Sequence, residues 1–199
     1  MGPLHLRDSL DLTPTPSQTV GPYFHLGCTN NHAVSCIAGP QAKGERVRLI
    51  CRVFDGDGVP VDDAMIEIWQ ADSEGNYNTA TGAQGKGADP DCAGFGRMAT
   101  DANGKCFFET IKPGRVPVIN GRSQAPHFNV SVFARGILKR LATRIYFADD
   151  PSNQECPILA LVPEERRATL LARPDRGNPG DWLFEVHLCG QDETVFFDV

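Results

Sequence analysis

No stretch of the 199 residues is apolar for long enough to cross a bilayer, and Met1 to Asp8 hold no apolar run of signal-peptide length. Positive charge is also short: 19 Lys and Arg against 25 Asp and Glu leave a formal charge of −6, with the cations scattered. That excludes the basic surface a phosphate backbone requires. The seven cysteines (Cys28, Cys36, Cys51, Cys92, Cys106, Cys156 and Cys189) are odd in number, and no two are spaced Cys-x-x-Cys. A zinc ribbon and a complete disulfide framework are therefore disfavoured, and the cysteines read as small apolar residues in a reducing compartment. Internal repeats and low-complexity tracts are missing too. The expectation is a cytoplasmic protein with no nucleic-acid or membrane partner.

What is present is enough apolar material for one packed core, at 41% hydrophobic residues. Its pattern is that of strands. Val47, Leu49, Cys51 and Val53 alternate with Arg48, Ile50 and Arg52. The turn Asp55-Gly-Asp-Gly58 leads to a second strand, Ala64 to Ala71, whose Ala64, Ile66 and Ile68 face the core, and the pair reads as a hairpin. Phe95 to Thr100 and Lys105 to Thr110, around Asp101-Ala-Asn-Gly104, read as another. Leu141 to Phe147 is a strand ended by Asp149-Asp-Pro151. Trp182, Phe184, Val186 and Leu188 alternate in a late one, and Thr194 to Val199 closes the chain. The single helix expected is Pro163 to Arg173, with Pro in its first turn, Glu164 and Glu165 at its positive end and Arg173 in its last turn. The fold class is all-β, a β-sandwich with one short helix. Residues 1–12 read as a leader, 13–45 as an extended arm and loop, and 46–199 as the sandwich domain. In the arm, three prolines and two glycines between Thr13 and Gly27 disfavour a helix, and residues 28–44 read as a surface loop.

The chain is organised around Thr110 to Arg135. After Pro126 the residues alternate: Phe128, Val130 and Val132 on one face of a strand, His127, Asn129 and Ser131 on the other. A strand offers two ligands to one metal in this way when both side chains can bind it. His127 can, as a neutral imidazole; Asn129 is a poor ligand for a transition metal.

Four blocks carry a resemblance: Thr15-Pro-Ser-Gln-Thr-Val-Gly-Pro-Tyr23 with Phe24-His25-Leu26-Gly27; Trp69, Ala71, Gly75 and Tyr77; Thr110-Ile-Lys-Pro-Gly114; and Ala125-Pro-His-Phe-Asn-Val-Ser-Val-Phe-Ala-Arg-Gly136. Together they resemble the intradiol ring-cleaving dioxygenases, the non-haem iron(III) enzymes that open catechols. Within that family they resemble the alpha chain of members built from two kinds of chain, as does Gly190 to Asp198. The resemblance runs from about Thr15 to Val199 and implies the same sandwich fold.

It also implies a metal centre of two tyrosinates and two histidines. Carried over residue by residue, the tyrosine positions fall on Tyr77 and Val116, the histidine positions on His127 and Asn129, and the catalytic arginine of the family on Gln124. Two of the four donors and the arginine are thus missing, which leaves too few donors for a ferric site in this chain. The resemblance therefore implies a heteromer. A homologous beta chain holds Fe(III), and this chain completes its substrate pocket with Thr19, Gly21, Pro22 and Tyr23 of the arm and with Arg135. The activity implied for the complex is O2-dependent cleavage of 3,4-dihydroxybenzoate between its hydroxyl-bearing carbons, giving 3-carboxy-cis,cis-muconate. From residue type alone, Tyr77 reads as a loop tyrosine, Arg135 as a surface ion pair and His187 as a surface residue. Two other readings stand beside this one. One is a non-catalytic β-sandwich serving as a binding or scaffolding module; the other is a self-sufficient dioxygenase that recruits Tyr23, His25 or His187.

Overall fold

The computed structural model describes residues 18, 19, 21, 27–79, 87–117 and 121–198. The leader, most of the arm with Pro22, Tyr23 and His25, and Val199 lie outside them. Ten strands follow in chain order: β1 (Arg46–Phe54), β2 (Met65–Gln70), β3 (Phe95–Ala99), β4 (Lys105–Ile111), β5 (Val116–Pro117), β6 (Ser123–Gln124), β7 (His127–Phe133), β8 (Leu141–Phe147), β9 (Leu171–Pro174) and β10 (Asp181–His187).

Eight of them form one sheet in the order β3-β2-β7-β8-β9-β10-β1-β4, and β5 pairs with β6 apart from it. The large sheet folds over so that its two halves face each other. Ile66 and Ile68 of β2, Phe128, Val130 and Val132 of β7, and Ile145 and Phe147 of β8 pack against Leu49, Cys51 and Val53 of β1, Phe108 of β4, and Trp182, Phe184 and Val186 of β10. Strand alternation dictates this core: every second side chain points into the gap between the halves. A second apolar cluster lies on the outside of the β7–β8 half, where Tyr146 packs with Ala125, Cys156, Leu159, Val162 and Leu170.

The strands are where the alternation puts them, but two pairings differ from expectation. β1 pairs with β4 and, in parallel, with β10, while β2 pairs with β3 and β7. Neither β1–β2 nor β3–β4 is a hairpin within one layer; each crosses from one half of the sandwich to the other. The expected turn chemistry is present at both places. The Asp55 carboxylate accepts from the amides of Asp57 and Val59, and Gly58 takes the left-handed conformation. Asp101 and Gly104 repeat the device. Such a turn reverses the chain whether it rejoins the same layer or the opposite one.

The helix expected over Pro163 to Arg173 is also different: a 3-10 helix covers Glu164–Leu170, and Leu171 onward is β9. β9 joins the halves, pairing with β8 at Tyr146 and Phe147 and with β10 at Trp182 and Leu183. Closing the sheet outweighs the helical signature of the sequence there. Residues 28–44 are more than a surface loop, since Ile37 and Ala38 are buried and Ile37 joins the core. Gly27, expected in the extended arm, and Cys28, expected in the surface loop, are both helical. Among the described residues no helix is long and apolar enough to cross a membrane.

Candidate functional site

The outer face of the β3-β2-β7-β8 half carries the polar partners of the core residues, and strand register lines them up across the sheet. Phe95 lies opposite Trp69, Trp69 opposite Asn129, and Asn129 opposite Arg144. The next row towards the segment Ala125–Pro126 pairs His127 with Tyr146.

Two loops are held against this face. In the first, the Asp72 carboxylate accepts from the amides of Glu74, Asn76 and Asp89, each at 2.9 Å, and so fixes the turn that delivers Tyr77. Tyr77 then stacks on Trp69, with ring centroids 6.3 Å apart and planes 5° from parallel. The second loop follows β4 and delivers Val116. The two loops touch through glycine: a Cβ on Gly75 would overlap the Arg115 carbonyl, and one on Gly114 would overlap that of Ser73. Both positions must be glycine because backbone meets backbone there. Beneath them, the buried Thr110 hydroxyl donates to Gln70 at 2.5 Å, and the Gln70 amide donates to the carbonyls of Ala71 and Ile111.

Of the four expected ligand positions, three therefore meet. The His127 Nδ1 sits 2.8 Å from the Ala125 carbonyl, which can only accept, so Nδ1 carries the proton and Nε2 holds a lone pair. That lone pair faces the Tyr77 hydroxyl at 3.4 Å, and the Asn129 amide donates to the same hydroxyl at 3.0 Å. Burial pushes the His127 pKa down to about 4, helped by the Arg144 charge and opposed by the bond to Ala125. Burial likewise raises the Tyr77 pKa, against the Asn129 hydrogen bond and Arg144. The pair is thus neutral near pH 7. The fourth position, Val116, is buried, apolar and directly opposite Gln124 in the β5–β6 pair.

Sequence reasoning misses Arg144. Its Nη1 donates to the Gln124 side-chain Oε1 at 2.5 Å, it also bonds to the Tyr146 hydroxyl, and its charge is felt by Tyr77, His127 and Tyr146. The alternation of β8 places it on the outer face, but only the pairing with β7 shows that it meets Asn129. A guanidinium thus stands among the positions where the family resemblance implies a ferric ion.

These groups do not fit Fe(III). The imidazole and phenol at the four positions hydrogen-bond to each other, the other two positions supply an amide and an isopropyl group, and the neighbouring charge is positive.

The residues expected to serve a partner's pocket lie elsewhere. The Gly136 amide donates to the Thr19 hydroxyl at 2.8 Å, which brings Thr19 next to the residue that follows Arg135. Arg135 is 75% exposed and pairs with Asp63 at 3.0 Å and Asp62 at 3.5 Å. Gly21 is exposed, and Pro22 and Tyr23 fall outside the described residues. His187 stacks on Phe54 and lies 3.9 Å from Glu185, away from the site.

Residues 19–186 match the family model described as "Dioxygenase". The chain is 45% identical to the protocatechuate 3,4-dioxygenase alpha chain of Burkholderia cepacia, over 94% of this chain and 98% of that one. It is 32% identical to the beta chain from the same organism, over 89% of this chain and 77% of the relative. Among solved structures, the dioxygenase domain of a dioxygenase carbohydrate-binding fusion from Streptomyces sp. SirexAA-E superposes with a TM-score of 0.61 at 26% identity, over 92% of this chain and all of that one.

Proposed function

The chain belongs to the intradiol dioxygenase family, and we propose that it serves there as the alpha chain of a protocatechuate 3,4-dioxygenase, working in the cytoplasm with a homologous beta chain that holds Fe(III). The complex adds both atoms of O2 to 3,4-dihydroxybenzoate and opens the ring between the hydroxyl-bearing carbons, giving 3-carboxy-cis,cis-muconate. The observation that carries this reading is the state of the outer face. The loops, the stacked Trp69 and Tyr77, and the oriented His127 are all in place, while Val116, Asn129, Gln124 and Arg144 leave no donor set for iron.

This chain contributes a wall to the partner's pocket. Gly21 carries no side chain and Pro22 has a fixed φ, so the arm with Thr19 and Tyr23 can stand close to a substrate ring. Arg135 supplies the charge that recognises the substrate carboxylate. Its exposed pairing with two aspartates is weak enough to be exchanged for that contact.

The test is co-expression with a beta-type homologue and assay of O2 uptake and product. Activity that requires both chains, with Arg135→Ala raising KM for 3,4-dihydroxybenzoate more than it lowers kcat, is the expected result. A beta-type chain equally active alone, with no association between the two, would overturn the reading.

A further inference from the structure

Beside Tyr77 and Asn129 the outer face opens into a cleft of about 670 Å3. Its floor is the sheet itself, with Trp69, Asn129 and Arg144. Its wall is built from Ile158, Leu161, Val162, Val195 and Phe197, contributed by the segment after β8 and by the chain's end. Leu161 is 77% exposed on its rim. The cleft is large enough for a single aromatic ring with its substituents.

Its charge is unbalanced. Arg140 and Arg144 line it, and among the described residues neither has a carboxylate partner. The two acids that also line it are engaged by other cations: Glu67 accepts from Arg97, with Nε at 2.7 Å, and Asp198 lies 3.5 Å from Lys139. Arg144 uses one N–H on Gln124 and bonds to Tyr146, and a guanidinium has five N–H donors, so donors remain. A half-buried cation with spare donors facing an apolar wall is the pattern that recognises an anionic group attached to a ring.

We propose that this cleft is a metal-independent binding site for a small aromatic carboxylate, the carboxylate on Arg144, with Arg140 adding positive charge along the strand, and the ring against Ile158, Val162 and Phe197. The site needs no iron and no second chain, so it stands or falls apart from the heteromer. Trp69 on the floor reports occupancy by its fluorescence.

The test uses the iron-free full-length chain titrated with sodium benzoate, followed by Trp fluorescence and calorimetry, with benzamide as the neutral isostere. Saturable binding of benzoate at one site is expected, with benzamide about tenfold weaker, because the charge-assisted contact is gone. Arg144→Gln should weaken benzoate about tenfold and Arg140→Gln severalfold, both towards the benzamide level. Absence of saturation, or benzamide binding as well as benzoate, would overturn the proposal. Should Arg144→Gln unfold the chain, Arg140→Gln and the benzamide comparison decide it, and unchanged benzoate affinity in a folded Arg140→Gln variant counts against it.

Discussion

The two faces of β7 differ in what fixes them. On the inner face Phe128, Val130 and Val132 are buried and pack in one apolar cluster with side chains from both halves of the sandwich. On the outer face His127 and Asn129 meet Tyr77, and Asn129 lies opposite Arg144 beside a cleft. Packing dictates the inner residues to within a methylene group. The outer residues are constrained by hydrogen-bond complementarity, which more than one side chain can satisfy. Asn129 shows this directly, since an amide that cannot serve as an iron ligand still holds the Tyr77 hydroxyl at 3.0 Å. The loops, the stacking on Trp69 and the glycine contacts survive a change of donor set because none of them depends on it. Scaffold and donor set are separable here: the loops and the stacked ring are in place around positions whose side chains do not fit Fe(III).

The sharpest way to test that separation is to mutate adjacent residues on opposite faces. Phe128→Ala opens a cavity in the shared core and should cost about 3–5 kcal/mol in urea unfolding. A loss of under about 1 kcal/mol there would mean that the inner face is not the structural one.

His127 is the outer residue that packing does constrain. Its pKa is about 4 in the folded chain against 6.5 unfolded, so the unfolded state takes up the proton first as pH falls. The stability tied to a neutral His127 is therefore fully present above pH 6.5 and is lost as pH drops through 4, amounting to about 3 kcal/mol in all. Unfolding free energies measured from pH 7 to pH 4 should show this slope, and His127→Gln should flatten it. A wild-type profile without that slope would show that His127 is not buried as a neutral ring.

The smallest effect is expected at Asn129. Asn129→His replaces one hydrogen-bonding group by another on a partly open face, and stability should change by less than about 1 kcal/mol. A loss comparable to that of Phe128→Ala would break the comparison.

Period-two alternation makes the inner face readable from sequence: β1, β7, β8 and β10 lie where Val47 to Val53, Phe128 to Val132, Leu141 to Phe147 and Trp182 to Val186 place them. Pairing is less readable. The Asp-x-x-Gly turns after Phe54 and Thr100 specify a reversal of direction, and nothing local says which layer the chain enters next. Pro163 to Arg173 has the end signals of a helix, yet Leu171 to Pro174 are needed as a strand to join the halves, a demand set by residues far away in sequence. For the site, Tyr77, Val116, His127 and Asn129 can be located through the family resemblance. Arg144 cannot, because its role depends on the β7–β8 register that sets it against Asn129.

Whether the outer face of this chain holds iron is decided most directly by adding ferric citrate to the purified chain, desalting it, and recording its metal content and visible spectrum. A tyrosinate bound to Fe(III) gives a visible charge-transfer band. The expected result is a colourless, iron-free chain, and colour in a complex with a beta-type chain in proportion to that chain alone. A stable visible band with one iron per chain in the isolated protein would contradict the separation of scaffold from metal chemistry.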